Sequence, residues 1–254
     1  MKKVVLSTLL LSGVFITSAM VHLPAQFVVQ YAPLPPQLSL KGVEGTVWQG
    51  SVKNLTWQRA SYGEVTWKLN PFALLSGKAE ASVRFGRGSD IQVQGRGVVG
   101  YSLSGLYAEN LVASLPIESV LKFAPPMPVP LELNGQVELS LRSFQYGAPY
   151  CQSAQGSVVW NTDVIGSPLA ELNVGPVIAE FNCQDNQIEL SGDQQSQQVA
   201  SGLTAKLDAN RQYSASVWFK PGSEFPNELQ QQLQWLPTEP DNQGRYPFSY
   251  QGRL

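Results

Sequence analysis

From Leu38 onward the chain alternates apolar and polar residues with a period of two. Ala79, Ala81, Val83 and Phe85 fall on one side of an extended backbone, and Glu80, Ser82 and Arg84 fall on the other. That is the pattern of a strand with one face on a core. It returns in Leu133 to Arg142, where Val137, Leu139 and Leu141 oppose Glu138, Ser140 and Arg142, and again in Tyr213, Ala215, Val217 and Phe219. Gly, Asn and Ser interrupt these runs at short intervals, so the expected fold is mainly β, with a meandering antiparallel sheet body over residues 38–254. Two segments read instead as short helices: Leu115–Phe123, which stops before Pro125 and Pro126, and Glu224–Leu236, with Phe225, Leu229, Leu233 and Leu236 near one stripe.

A weak repeat runs through the body. Gly63-Glu64-Val65-Thr66-Trp67 matches Gly156-Ser157-Val158-Val159-Trp160, and each is followed by a short strand ending in glycine, Ile91–Gly95 and Ile188–Gly192. Duplication would make the body two related β units, 38–124 and 131–254, forming a curved sheet or trough with its seam at the proline-rich Pro125–Pro130. Gly-to-Trp matches of this length also arise by chance in β-rich chains.

The N-terminus follows another rule. Lys2 and Lys3 precede an uncharged stretch, Val4 to Val21, long enough to cross a hydrocarbon core as a helix rising ~1.5 Å per residue. Residues 1–22 are therefore expected to be a cytoplasmic tip and transmembrane anchor, with the lysines inside and everything after about His22 exported. A cleaved signal peptide has the same ingredients. Its small-x-small cleavage site is poorly matched, because Leu23 stands two residues before Ala25 and Thr17 two before Ala19. Residues 23–37 carry Pro24, Pro33, Pro35 and Pro36, which predicts an extended strut with little regular structure.

Composition narrows the chemistry. The chain is 43% apolar and 14% charged, with a net charge of −2 and no block of either sign, so no basic surface for nucleic acid is expected. The single histidine is His22, which removes a Ser/His/Asp relay and a histidine-bearing metal site from the exported body. Carboxylate pairs such as Glu44 with Glu64, or Glu118 with Glu132, could supply acid and base, but nothing in the sequence makes any two converge and solvent-facing positions are the better account of them. Gly86-Arg87-Gly88 and Gly95-Arg96-Gly97 read as turns or bulges rather than phosphate loops. Neither a cofactor, a metal nor a catalytic residue is expected.

Cys151 and Cys183 are the only cysteines, and in an oxidising compartment an even pair points to a disulfide, with two buried thiols as the alternative. The six tryptophans suit either cross-strand packing or a partner surface. Trp218 alternates with Val217 and Phe219 and should face away from the core they line. Trp218 and Trp235 are the candidates for an interaction surface.

Several segments together resemble a known family. Gly45-Thr46-Val47-Trp48-Gln49-Gly50 follows the anchor and strut, and Trp67-Lys68-Leu69-Asn70-Pro71 runs into Leu74-Leu75-Ser76-Gly77. The Cys151/Cys183 pair, Leu233-Gln234-Trp235-Leu236, Gly244-Arg245-Tyr246-Pro247 and the closing Gly252-Arg253-Leu254 continue the likeness over nearly the whole chain. These segments resemble the type II secretion system protein N family. The resemblance implies a non-enzymatic accessory component of the bacterial inner membrane, its body periplasmic, its partners the other components of the apparatus that exports folded proteins across the outer membrane. The first two elements are also similar to AsmA-like envelope proteins, which implies the alternative of a lipid-binding or lipid-shielding groove. A carboxylate-dependent hydrolase is the third hypothesis.

Overall fold

The computed structural model describes residues 11–15, 18–32, 34–122, 132–162 and 164–253. The strands are β1 (Leu38–Gly45), β2 (Gln49–Trp57), β3 (Ala60–Leu69), β4 (Ala79–Arg87), β5 (Gln94–Ser102), β6 (Gly105–Pro116), β7 (Glu132–Leu133), β8 (Gln136–Gln145), β9 (Ser153–Asn161), β10 (Val164–Gly166), β11 (Glu171–Asn173), β12 (Val177–Gln184), β13 (Gln187–Gln195), β14 (Val199–Leu207), β15 (Gln212–Pro221) and β16 (Tyr246–Arg253). All but β7, β10 and β11 form one 13-stranded sheet in chain order, and those three form a small sheet of their own. Every pairing in the large sheet is antiparallel. The mainly β, antiparallel expectation holds.

The period-two pattern becomes two faces. Register, interrupted by a bulge between β5 and β6 at Gly97 and Leu111, carries one face across the sheet through Trp67, Val83, Gly97, Leu111, Leu141, Gly156, Phe181, Leu190, Ala205, Ala215 and Tyr250. Residues between these on each strand, including Arg84, Arg96, Ser140, Glu180 and Ser191, form a polar second face. On the apolar face the side chains are half-buried by their neighbours, and among the described residues no large side chain is fully buried. The sheet is a single layer whose first and last strands, β1 and β16, do not pair with each other.

Much of what a second layer would supply comes from within the sheet. Directly paired residues set an aromatic ring over a glycine at Trp67/Gly50, Phe85/Gly95, Tyr107/Gly100, Phe181/Gly156, Trp218/Gly202 and Tyr213/Gly252. A Cβ built at Gly156 would lie 2.5 Å from the Phe181 ring and 2.5 Å from the Ser140 carbonyl oxygen. The missing side chain is the space the ring occupies, so each ring covers backbone of the neighbouring strand. The repeat-matched tryptophans are anchored alike: the Trp67 indole donates to the Val47 carbonyl at 3.0 Å and the Trp160 indole to the Asn134 carbonyl at 3.0 Å.

The disulfide is formed: Cys151 and Cys183 are bonded, with Cα atoms 6.4 Å apart. It ties the approach to β9 onto the end of β12 and is buried with Ala154 against Phe144, Phe181 and Ile188. β12 and β13 are joined by the left-handed pair Asp185 and Asn186 (φ 51° and 65°), the turn that matches strand twist.

Several expectations need correction. No helix among the described residues is long and apolar enough to cross a membrane, so the anchor Val4–Val21 is not supported as such. Residues 11–15 and 18–21 are helical, while Lys2, Lys3 and the start of the stretch lie outside the described residues. The strut is interrupted by helix α1 (Ala25–Tyr31), because Pro24 can stand at its N-cap and no proline follows until Pro33. Phe27 and Tyr31, one turn apart, pack with ring centres 4.9 Å apart and their planes tilted by 54°.

Helix α2 (Pro71–Leu75) is additional; Asn70 caps it by accepting from the Phe72 N–H at 3.2 Å, and Pro71 opens it. Helix α3 (Ile117–Leu121) begins two residues later than expected, since Leu115 and Pro116 still pair with Val137 and Gln136 in β8. Helix α4 (Asn227–Gln230) and a 3₁₀ turn at Leu233–Trp235 replace the continuous Glu224–Leu236 helix, bounded by Pro226 and Pro237. Of the repeat's Ile91–Gly95, only Gln94 and Gly95 are strand, whereas Ile188–Gly192 lies within β13. β6 pairs directly with β8 across the expected boundary between halves, and Pro125–Pro130 lies outside the described residues.

Gly156→Ala is expected to destabilise the fold by about 1–3 kcal/mol through overpacking against Phe181 and Ser140. Urea unfolding should show a lower midpoint with unchanged slope. Replacing both cysteines by alanine removes a cross-link across a sequence separation of 32 residues. The chain-entropy account puts that loss at about 3–4 kcal/mol, read by the same assay.

Candidate interaction surfaces

The strands run back and forth, so the connections divide between two ends of the sheet. Residues 46–48, 70–78, 103–104, 146–152, 185–186 and 208–211 form one end, and residues 58–59, 196–198 and 222–245 belong to the other. The N-terminal segment attaches at the first end. The Trp48 indole donates to the Met20 carbonyl at 2.8 Å, the Val47 N–H donates to the Leu23 carbonyl at 3.0 Å, and Pro24 bridges Thr46.

Trp218 lies on the polar face, as its alternation with Val217 and Phe219 requires. Its ring covers Gly202 and carries the Arg245 guanidinium 5.2 Å from its centre. Asp241 holds that arginine from the other side at 2.9 Å, and the backbone N–H groups of Arg245 and Gln243 also donate to it. The Arg245 backbone donor first of all lowers the Asp241 pKa below the usual carboxylate value. Trp218, Arg245 and Gln243 line a recess of about 330 Å³ together with Ala200, Lys220 and Gly222.

Trp235 is 76% exposed on the 3₁₀ turn between β15 and β16. Both tryptophans stand toward the end away from the N-terminal segment, although no ring contact among the described residues joins them. On the apolar face beside them, Phe219 stacks between Tyr246 at 5.2 Å and Phe248 at 6.1 Å.

A recess of about 760 Å³ opens on the polar face over β2 to β5 and is lined by Glu44, Glu64, Lys68, Arg84 and Arg96. Glu44 and Glu64 therefore do share a recess. Each is already matched, Glu44 to Lys53 and Glu64 to Arg87 at 3.4 Å. Arg84 and Arg96 stand directly opposite one another, a cationic feature invisible without the register. Glu118 lines a separate recess with Asp90 and Lys122, and Glu132 is not among its lining residues. No cluster of metal-ligating side chains occurs among the described residues.

Tyr107 is buried on the polar face, its ring over Gly100 and its hydroxyl donating to Glu80 at 3.0 Å. The other Glu80 oxygen accepts from Asn70 at 3.2 Å, which links this strand pair to the cap of α2. Neither the Gly–aromatic register nor this link was read from the sequence. The Asn70-Pro71 pair was a cap signal that could have revealed α2.

The family model described as "Type II secretion system (T2SS), protein N" matches residues 36–249. The chain is 46% identical to type II secretion system protein N of Vibrio cholerae serotype O1, over 100% of both chains. It is 35% identical to the protein of that name from Aeromonas hydrophila, again over 100% of both. For that of Pectobacterium carotovorum subsp. carotovorum the figure is 24%, over 95% of this chain and 93% of the relative. No solved structure matches.

Burial first, and then the hydrogen bond to Glu80, push the Tyr107 pKa from 10.0 up to about 12. The raised value stabilises the fold fully below pH 10, and that contribution is lost as pH climbs through about 12. Ultraviolet titration should show one late-ionising tyrosine. Tyr107→Phe should abolish that step and cost about 1 kcal/mol in urea unfolding.

Proposed function

The chain belongs to the type II secretion system protein N family, and on that premise we propose a specific place for it in type II secretion. It is a non-catalytic accessory component, attached to the inner membrane by its N-terminal segment with its N-terminus cytoplasmic. The sheet stands in the periplasm and supports export of folded proteins across the outer membrane through contacts with other components of the apparatus. The observation that carries this reading is the uncovered apolar face of a single-layer sheet, in a chain whose family has a role in secretion.

A continuous apolar sheet face with no second layer over it is the usual mark of a contact site. The exposed Trp235 at the end away from the N-terminal segment has the amphipathic character that interfaces favour. A buried disulfide agrees with an oxidising compartment. Lys2 and Lys3 before Val4–Val21 supply the orientation.

The same uncovered face favours one second reading, in which it holds or shields lipid acyl chains. Native mass spectrometry of the gently purified chain separates the two: stoichiometric lipid retained on the sheet supports the second reading, and its absence supports the first.

Site-specific photo-cross-linking in cells tests the main proposal, with the reactive side chain at Val217 on the apolar face or at Trp235. Adducts to other secretion components are expected at both positions and not at Asn210 on the opposite end. Recovery of no other component from either position would sink the proposal.

A further inference from the structure

The end of the sheet that holds the N-terminal segment has an unusual rim. Phe72 and Leu75 on α2 are 78% and 87% exposed, and Leu103 at the tip of the β5–β6 hairpin is 102% exposed. Tyr101 and Tyr146 stand beside them, also exposed. Polar residues are the ordinary choice at such tips, because a turn in water gains nothing from a large apolar side chain.

These side chains are held out, not left loose. The hairpin is fixed by Ser102, whose hydroxyl accepts from the Ser104 N–H at 3.2 Å, and by Gly105 at φ 99°. Gln145 reaches across from β8 and donates to the carbonyls of Ser104 and Leu106 at 2.7 and 3.2 Å. The Tyr146 N–H donates to the Leu106 carbonyl at 2.8 Å. α2 is locked by the Asn70 cap, itself tied to Glu80.

The apolar tips are confined to one part of this end. They follow directly on residues 46–48, which bind the N-terminal segment through Met20, Leu23 and Pro24. Farther along the same end the tips turn polar and charged, at Asp185–Asn186 and at Asp208, Asn210 and Arg211. Lys78 lies 5.6 Å from the Tyr107 ring just behind the rim, so a cation and tyrosines back the apolar tips, the arrangement found where protein meets lipid headgroups.

We propose that this rim, Phe72, Leu75 and Leu103 with Tyr101 and Tyr146, rests in the interfacial layer of the lipid bilayer that the N-terminal segment enters. The occupant is a lipid surface, because the apolar tips are continuous with the attachment of that apolar segment and absent where the end runs on beyond it. The contact gives the sheet a second point of support and so a fixed tilt, which a single tether cannot supply. The inference rests on the membrane attachment proposed above.

The test uses the full chain in nanodiscs of phosphatidylethanolamine and phosphatidylglycerol. A single cysteine at Leu103, Leu75 or, as control, Asn210 carries an environment-sensitive fluorophore; the native cysteines are bonded to each other and do not react. With spin-labelled lipids bearing the quencher near the headgroup, probes at Leu103 and Leu75 should be quenched severalfold more than the probe at Asn210 and shifted to the blue. Equal quenching at all three positions in incorporated protein overturns the rim contact and leaves membrane attachment standing. A chain that does not enter nanodiscs overturns both.

Discussion

A single-layer β-sheet has to stabilise itself from within, and here the recurring device is an aromatic ring laid over a glycine on the neighbouring strand. Each such pair covers backbone that a second layer would otherwise shield. It also fixes register, since a slip of one residue would send the ring to the opposite face. Trp67 over Gly50, Phe181 over Gly156 and Trp218 over Gly202 place this device at both edges and the middle of the sheet. The buried disulfide adds one covalent constraint near the centre, beside the β9–β12 pairing.

Because stability is local and spread along the sheet, the apolar face remains available. That face, the polar face and the two ends give the molecule four different surfaces. The N-terminal segment and the apolar tips of α2 and the β5–β6 hairpin share one end. Trp218 and Trp235 stand toward the other. β16, with Tyr246, Phe248 and Tyr250 on the apolar side, is the last strand of the sheet and pairs only with β15 among the described residues.

The fold class was legible because one face of each strand is apolar and one polar, so Ala79 to Phe85 or Val137 to Leu141 announce strands without tertiary information. The outward position of Trp218 followed from the same alternation. Helix limits were less legible. Leu115 and Pro116 fit a helical stripe but gain more from pairing with β8, and Pro24 hides a helix by looking like part of an extended strut. The single-layer character was not legible at all, since alternation reads the same whether or not a second layer covers the apolar face. Nor were the Gly–aromatic pairs or the Arg84–Arg96 juxtaposition, which exist only once strands from distant parts of the chain are in register.

In the proposed role the apolar face is open in the isolated chain and covered by contacts in the secretion apparatus. Carbene footprinting of Leu139, Leu190 and Val217 addresses it directly, comparing the purified full chain with the same chain in intact cell envelopes. Strong labelling of all three is expected in the purified chain and protection in envelopes that contain the apparatus, with labelling restored in envelopes that lack its other components. Protection already complete in the purified chain, or labelling indifferent to the apparatus, would contradict it.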